Sequence, residues 1–372
     1  MTPVRRWSPG AWLVALLLAV PGCTPAPRIT IGTGLSVTFV DAARMAFEEE
    51  MARGGLPSLD TLLLSESTNR AEPALEIAAR MAATSGMVAV IGHSNSSSSL
   101  SASPIYNQAG IVQIAPTATS VQFSEAGSFS FRLAPADPMQ GELLAGAIDS
   151  LYPDGTRVAI LFVNDDYGRG LRAAVLDQLD RERFPVVFDQ PHADVERSND
   201  LPFHERAVQT TIAGVADAEP GLVLWLGRPA TFRGYLPEMR RVLGAIPVLG
   251  GDALSSYNEE DLASGLWDGV RYADYVDMEG TEALRDFARR FLARQGIAAR
   301  TAEVLSYDAM GVLLAAVRDG ARTGDEVRQW LQSLGRERPP WQGLSGPIAF
   351  TERGDVERPY VLVTMPARST PR

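Results

Sequence analysis

Short apolar runs alternate along the chain with stretches whose apolar positions recur at helical spacing. Ile29-Thr-Ile-Gly predicts a strand, and Val40, Ala43, Phe47 and Met51 share one face of a helix over Val40 to Arg53. Leu59 to Leu64 predicts a strand, Pro73 to Ala83 a helix, Val88 to Ile91 a buried strand, Ser98 to Ala109 a helix and Ile111 to Ile114 another strand. Such alternation indicates βαβ units on a parallel sheet. The pattern restarts after a break: helix Glu142 to Leu151, strand Val158 to Val163, helix Leu171 to Leu179, then strands Val186 to Phe188 and Leu222 to Leu226, helix Tyr235 to Leu243 and strand Val248-Leu249. Two separate series predict two similar α/β lobes. Helices over Thr281 to Gln295, Thr301 to Arg318 and Thr323 to Leu334 follow. Gly346-Pro-Ile-Ala-Phe, the turn-like Glu352-Arg-Gly-Asp and Tyr360 to Val363 predict a terminal hairpin.

The first 22 residues stand apart from this pattern. Arg5 and Arg6 form a positive start, Ala11 to Val20 is uninterruptedly apolar, and Pro21-Gly22-Cys23 follows. The apolar run is about half of the ~20 residues a spanning helix needs, which predicts a secretory signal. Small residues followed directly by cysteine resemble a bacterial lipobox, so Cys23 is expected to carry lipid and become the new N-terminus, with residues 23–28 as a tether. A general secretory signal with an incidental cysteine is the alternative. Cys23 is the only cysteine, so no intrachain disulfide can form.

Composition narrows the chemistry. With 45% hydrophobic and 21% charged residues over 372 positions, the chain can bury two cores, which excludes a disordered or disulfide-scaffold protein. All 34 basic residues are arginine, so no lysine Schiff base and no phosphate-loop lysine is available. A net charge of −11 disfavours nucleic acid and anionic lipid as partners. Gln190 to Leu201 is the most polar stretch; His192, Asp194 and Glu196, with His204 nearby, have ligand chemistry, but a solvated insertion accounts for them and no metal is assigned.

Three loops carry candidate binding chemistry. Gly92-His93-Ser94-Asn95-Ser96 imitates a nucleophile elbow, but the fifth position is not glycine and no convincing acid and histidine follow, which disfavours a hydrolase. Ser96 to Ser99, at a helix start, suit an anion instead: backbone N–H groups, the helix dipole and hydroxyl donors can hold a carboxylate without a basic residue. Ordinary N-capping would need only one serine. Pro116-Thr117-Ala118-Thr119 follows the next strand, so its hydroxyls should emerge at the same carboxyl edge, where ligands of open α/β sheets collect. Gly32-Thr33-Gly34 is expected there too, although it lacks the third glycine of a dinucleotide fingerprint.

Ile91-Gly-His-Ser-Asn-Ser-Ser-Ser-Ser, Ala102-Ser103, Ile105-Tyr106, Gly110-Ile111 and Ile114-Ala-Pro-Thr-Ala-Thr together resemble the core of the leucine/isoleucine/valine-binding protein family, the type I periplasmic binding proteins of ABC importers. The likeness continues through Phe131-Arg132, Asp137, Gln140-Gly141, Val158 to Leu171, Gly346-Pro-Ile and Gly354-Asp355, nearly the whole chain after Cys23. It implies an α/β fold of two Rossmann-like lobes joined by three crossings, with the ligand in the cleft between them. Carried onto this chain, one lobe takes 29–148 with 275–322, the other 149–274 with 323–365, and 366–372 is a tail. The resemblance implies that Ser96, Thr117 and Thr119 hold the carboxylate and ammonium of an amino acid, with Ser97 in the same serine run; that Tyr167 closes over the ligand; and that Asp252 pairs with the ammonium. Core packing for Tyr167 and a turn role for Asp252 are the alternatives.

Two departures alter the expected pocket. Gly227-Arg228 stands where the family commonly has an aromatic residue, so Arg228 either reaches a second ligand carboxylate or is solvated at the rim. The loop Gly34-Leu-Ser-Val-Thr-Phe is shorter than the family's, which puts a leucine-type ligand in doubt. The implied function is a lipid-anchored, extracytoplasmic binding protein that captures an amino acid or related amphoteric solute for an ABC permease, with no cofactor and no catalysis. A sensor or regulatory lipoprotein of the same fold, binding a protein partner, is the alternative.

Overall fold

The computed structural model describes residues 29–56, 59–65, 71–193 and 201–365. The signal segment, Cys23, the tether, the tail and Asp194 and Glu196 lie outside the described residues.

The first sheet holds β1 (Ile29–Leu35), β2 (Leu59–Ser65), β3 (Met87–Gly92), β4 (Val112–Ala115) and β5 (Ser130–Arg132), all parallel, in the order β2-β1-β3-β4-β5. The second holds β6 (Val158–Val163), β7 (Val186–His192), β8 (Leu222–Leu226), β9 (Val248–Gly250) and β10 (Arg271–Asp274), with β13 (Val361–Thr364) added at the edge, in the order β13-β10-β9-β8-β6-β7. Only the β10–β13 pair is antiparallel in this sheet. The two sheets therefore repeat one doubly wound order, and in each the strand order reverses beside the first strand, at β1/β3 and at β6/β8. Central strands β3, β6 and β8 are buried along their whole length, which is why they read as unbroken apolar runs.

The helices are α1 (Val37–Ala52), α2 (Ala71–Ala82), α3 (Ser96–Ala109), α4 (Asp137–Leu151), α5 (Asp166–Gln178), α6 (Leu201–Asp217), α7 (Pro229–Leu243), α8 (Glu259–Ser264), α9 (Glu282–Gln295), α10 (Thr301–Arg318) and α11 (Gly324–Ser333). Sequence patterning assigns no element between 202 and 221, yet α6 lies there, burying Val208, Ile212 and Val215 at helical spacing. Among the described residues no helix is long and apolar enough to cross a membrane.

The chain passes between the lobes three times: after β5, after β10 and ahead of β13. These crossings are tied side by side. Arg132 Nε donates to Asp355 Oδ1 at 2.6 Å, and the Tyr360 hydroxyl donates to the Pro135 carbonyl at 3.0 Å. Tyr275 meets Tyr360 edge to face, with ring centroids 5.1 Å apart.

Three expectations change. The terminal hairpin is instead β11 (Trp341–Gly343) with β12 (Gly346–Ile348), because buried Asp308 accepts the turn's Leu344 and Ser345 N–H groups, each at 2.8 Å. Val361–Thr364 leaves it to edge the second sheet, Val361 opposite Asp274. The lobe limits also shift: α4 packs on α5, β10 and β13 of the second lobe, whereas α11 packs on β3 and β4 of the first, so a division at residue 323 fails. Finally, Gly32-Thr33-Gly34 lies inside β1, fully within the sheet, and Ser36 is the residue that leaves its edge.

Candidate functional site

Both reversal points open toward the same cleft, a cavity of about 230 Å³ between the lobes. This is near the lower end of ligand pockets, about 300–1,000 Å³. The first lobe contributes Ser36, Phe39, Ser94, Asn95, Ser96 and Thr117. The second contributes Tyr167, Arg228, Arg233, Asp252 and Ser255. Tyr275 comes from a crossing and Thr301 from the start of α10.

The first wall is the N-terminus of α3. Asn95 caps it, its Oδ1 accepting the Ser98 N–H at 3.0 Å, as a helix start with free donors requires. Ser94 Oγ accepts the Ser36 N–H at 2.6 Å, which fixes β3's edge to the start of α1. The Ser96 hydroxyl accepts the Ser120 N–H at 3.2 Å, and Ser96 lines the cleft. Thr117 donates to the Ser94 carbonyl at 3.0 Å, leaving its oxygen as an acceptor. This lobe brings no ionisable side chain to the lining.

Asp252 dominates the second wall. It follows β9, is 7% exposed, and its Oδ1 accepts the Tyr167 hydroxyl at 2.9 Å. Its own N–H donates to Gln140 Oε1 at 3.2 Å. A Cβ at Gly251 would lie 2.6 Å from the Tyr167 hydroxyl, so only glycine lets that ring reach the carboxylate. Burial pushes the Asp252 carboxyl up, and the Gln140 and Tyr167 hydrogen bonds oppose it. Burial and the Asp252 charge raise Tyr167 well above the usual phenol, so it stays a donor. Among the described residues no arginine forms an ion pair with Asp252.

The arginines of this wall are already engaged. Arg228 Nη2 donates to Asp165 Oδ2 at 2.5 Å and the guanidinium lies 6.0 Å from the centre of the Tyr167 ring. Asp165 caps α5, its Oδ1 accepting the N–H groups of Tyr167 and Gly168. Arg233 makes a two-bond fork to Asp261, at 2.6 and 2.9 Å. What remains uncompensated in the cleft is one buried carboxylate.

Behind Asp252 the hinge holds further buried acids. Asp137, at the start of α4, has neither carboxylate oxygen hydrogen-bonded. Burial, with the charge of Asp252 adding and the neighbouring Thr119 hydroxyl opposing, moves it to about 7. Asp274 also rises to about 7 through burial, opposed by the Thr301 hydroxyl and by the N–H groups of Tyr275 and Val276.

Of the residues expected from sequence, Ser96, Thr117, Tyr167, Arg228 and Asp252 come together in one lining, while Ser97 and Thr119 do not. The Ser97 hydroxyl is taken by Asp166 at 2.6 Å. Thr119 is fully buried, its carbonyl accepting the Asp137 N–H at 2.8 Å and its side chain turned to the hinge acids. Ser98 and Ser99 bond within the first lobe, to Asn95 and to His93. Sequence reasoning misses Ser36, Asn95, Arg233, Tyr275 and Thr301. The capping chemistry of Asn95 was a usable signal; Tyr275 and Thr301 had none, because they reach the cleft from distant parts of the chain. Among the described residues no cluster of three or more His, Cys, Asp or Glu is arranged to hold a metal ion.

Known proteins resemble this chain in sequence and in fold. A "Leu/Ile/Val-binding protein homolog 1" from Brucella abortus is 23% identical over 346 residues, covering 90% of this chain and 89% of that protein. An "Amino acid binding protein" from Pseudomonas aeruginosa is 33% identical over 156 residues, 40% of this chain and 41% of that protein. The isoleucine complex of LivJ from Streptococcus pneumoniae superposes with a TM-score of 0.78 at 16% identity, covering 91% of this chain and 96% of that one. A benzoate complex of a solute-binding protein from R. palustris gives 0.76 at 17% identity, covering 92% and 94%. At these identities the superpositions establish the fold. The profile of the family described as "Periplasmic binding protein" matches residues 32–370, and the chain belongs to that family.

Proposed function

We propose that the protein is an extracytoplasmic solute-binding component of an ABC transporter that captures an amino acid between its lobes. The observation that carries this reading is Asp252: a buried carboxylate with a Tyr167 donor and no arginine, facing a cleft whose opposite wall is a helix N-terminus with hydroxyls. An α-ammonium would pair with Asp252, and an α-carboxylate would sit at the start of α3, where N–H groups and the dipole favour an anion. The relatives' names, which refer to leucine, isoleucine, valine and amino acids, support the same class. Lobe closure is the mechanism: a ligand touching both walls stabilises the closed population through its differential affinity. The permease is the partner, and Cys23 anchors the protein to the membrane through lipid; Cys23→Ser should then release it from the membrane fraction.

A thermal-shift and calorimetric panel of amino acids, plain carboxylates and amides tests the reading. A true ligand at about 1,000 times its Kd should stabilise the protein by about 4 kcal/mol. Silence across the whole panel would favour a sensor or regulatory lipoprotein that binds a protein partner instead.

A further inference from the structure

Ser97 stands in the middle of the serine run yet faces away from the cleft lining, and its bonds cross between the lobes. Its hydroxyl donates to Asp166 Oδ2 at 2.6 Å and accepts the Asp166 N–H at 3.1 Å. Ser97 is in the first turn of α3, in the first lobe; Asp166 opens α5, in the second. The other Asp166 oxygen accepts Arg169 Nη2 at 3.0 Å, which holds the carboxylate in line with Ser97. The first turns of the two helices thus touch. Their partial positive charges would repel each other without an intervening anion, and the Asp166 carboxylate supplies one.

The immediate neighbours of the pair, Ser96 and Tyr167, both line the cleft, one from each wall. Joining Ser97 to Asp166 therefore sets Ser96 opposite Tyr167 in register, with neither bonded residue reaching the ligand space.

We propose that Ser97 and Asp166 form an interlobe clasp that holds part of the population closed without ligand and so sets the apparent affinity for every ligand alike. If the binding-competent state has a population f, the apparent Kd is the intrinsic Kd divided by f, so a lost clasp weakens all ligands by one common factor. One bond to a partly exposed carboxylate and one from a backbone N–H correspond to a factor of about ten.

The test begins without ligand, so it stands apart from the amino-acid reading above. Spin labels at exposed Gln108 on α3 and Gln178 on α5, in the full chain carrying Cys23→Ser, report the distance between the lobes. The wild-type residues should give a distribution with a short component, Ser97→Ala should deplete it, and Ser97→Thr, which keeps the hydroxyl, should restore it. A distribution that Ser97→Ala leaves unchanged, or one already fully open before substitution, overturns the proposal. With ligands identified by the panel, Ser97→Ala should raise the dissociation rate about tenfold for each of them. An effect that differs strongly from ligand to ligand would make Ser97 a ligand contact and overturn the clasp.

Discussion

The two walls of the cleft stand on sheets of the same strand order, one through β2-β1-β3-β4-β5 and the other through β7-β6-β8-β9-β10, but they differ in charge. The first presents hydroxyls, an amide and a helix N-terminus. The second presents Asp252, Arg228 and Arg233, and its arginines are cancelled by Asp165 and Asp261. A neutral wall reads a ligand's anion through fixed dipoles, at little desolvation cost to the protein. A wall with one unmatched buried carboxylate stores an unfavourable charge that a ligand cation can relieve. On the proposed reading, recognition of a zwitterion would be divided: the first wall would supply geometry, the second energy.

The sharpest way to break this division is to remove the charge on one wall and a hydroxyl on the other. Asp252→Ala should weaken amino-acid binding by about 100-fold or more, since losing one partner of a buried charge pair costs about 2–5 kcal/mol. Ser96→Ala should cost about tenfold, in the range of a neutral hydrogen bond. Calorimetry on both variants, with an amino acid and the matching plain carboxylate, measures the contrast. Equal losses from Asp252→Ala for the two ligands would remove the ammonium from Asp252.

A second contrast concerns pH, because the two acids that burial raises to about 7, Asp137 and Asp274, lie behind the second wall. Asp137 has a folded value of about 7 against an ordinary 3.8, so the folded state binds a proton that the unfolded chain has released. Stability from this group is full below about pH 4 and is lost as pH rises through about 7. Asp274, also at about 7, acts in the same direction. Asp137→Asn is neutral at all pH values, so its stability relative to wild type should grow by about 2 kcal/mol between pH 5 and 7. Urea unfolding at the two pH values checks this; a constant difference would mean that Asp137 does not carry the proton. Ser96→Ala, on the wall without ionisable groups, should leave the pH profile unchanged.

The two walls also differ in how far sequence reveals them. The start of α3 is a local feature: strand, polar turn, serine run and helix follow one another, so the cap and the anion chemistry can be read within ten residues or so. What each serine does is not local. Ser97 is drawn away by Asp166 and Ser99 by His93, partners that depend on lobe closure and on the turn after β3. On the second wall, Tyr167 and Asp252 are placed by their strand ends, but the state of Arg228 depends on Asp165, 63 positions away in sequence. The buried strands, as apolar runs between amphipathic helices, and their parallel two-lobe arrangement are legible; their order in each sheet is not. The return of Val361–Thr364 to the second sheet is not legible either, because a short strand near a turn looks the same whether it pairs with its neighbour or with a distant edge.

Arg228 gives the smallest expected effect on binding and tests whether the arginines of the second wall are spent. Its guanidinium is committed to Asp165, with side-chain exposures of 11% and 5% for the two residues. If that pairing is its role, Arg228→Met should change the affinity for a neutral amino acid by less than about threefold. The loss should appear in stability instead. It should be modest, about 1–2 kcal/mol rather than the ~3–5 kcal/mol of a fully stranded charge, because Asp165 keeps two N–H donors at the start of α5. Aspartate and glutamate provide the discriminating ligands. A second carboxylate reaching Arg228 would have to compete with Asp165 for the same cation, so dicarboxylic amino acids should bind no better than neutral ones, and Arg228→Met should not alter that ratio. If instead the substitution lowers binding of a dicarboxylic ligand by tenfold or more while sparing neutral ones, Arg228 leaves Asp165 when the ligand enters, and the second wall reads an anion as well as a cation.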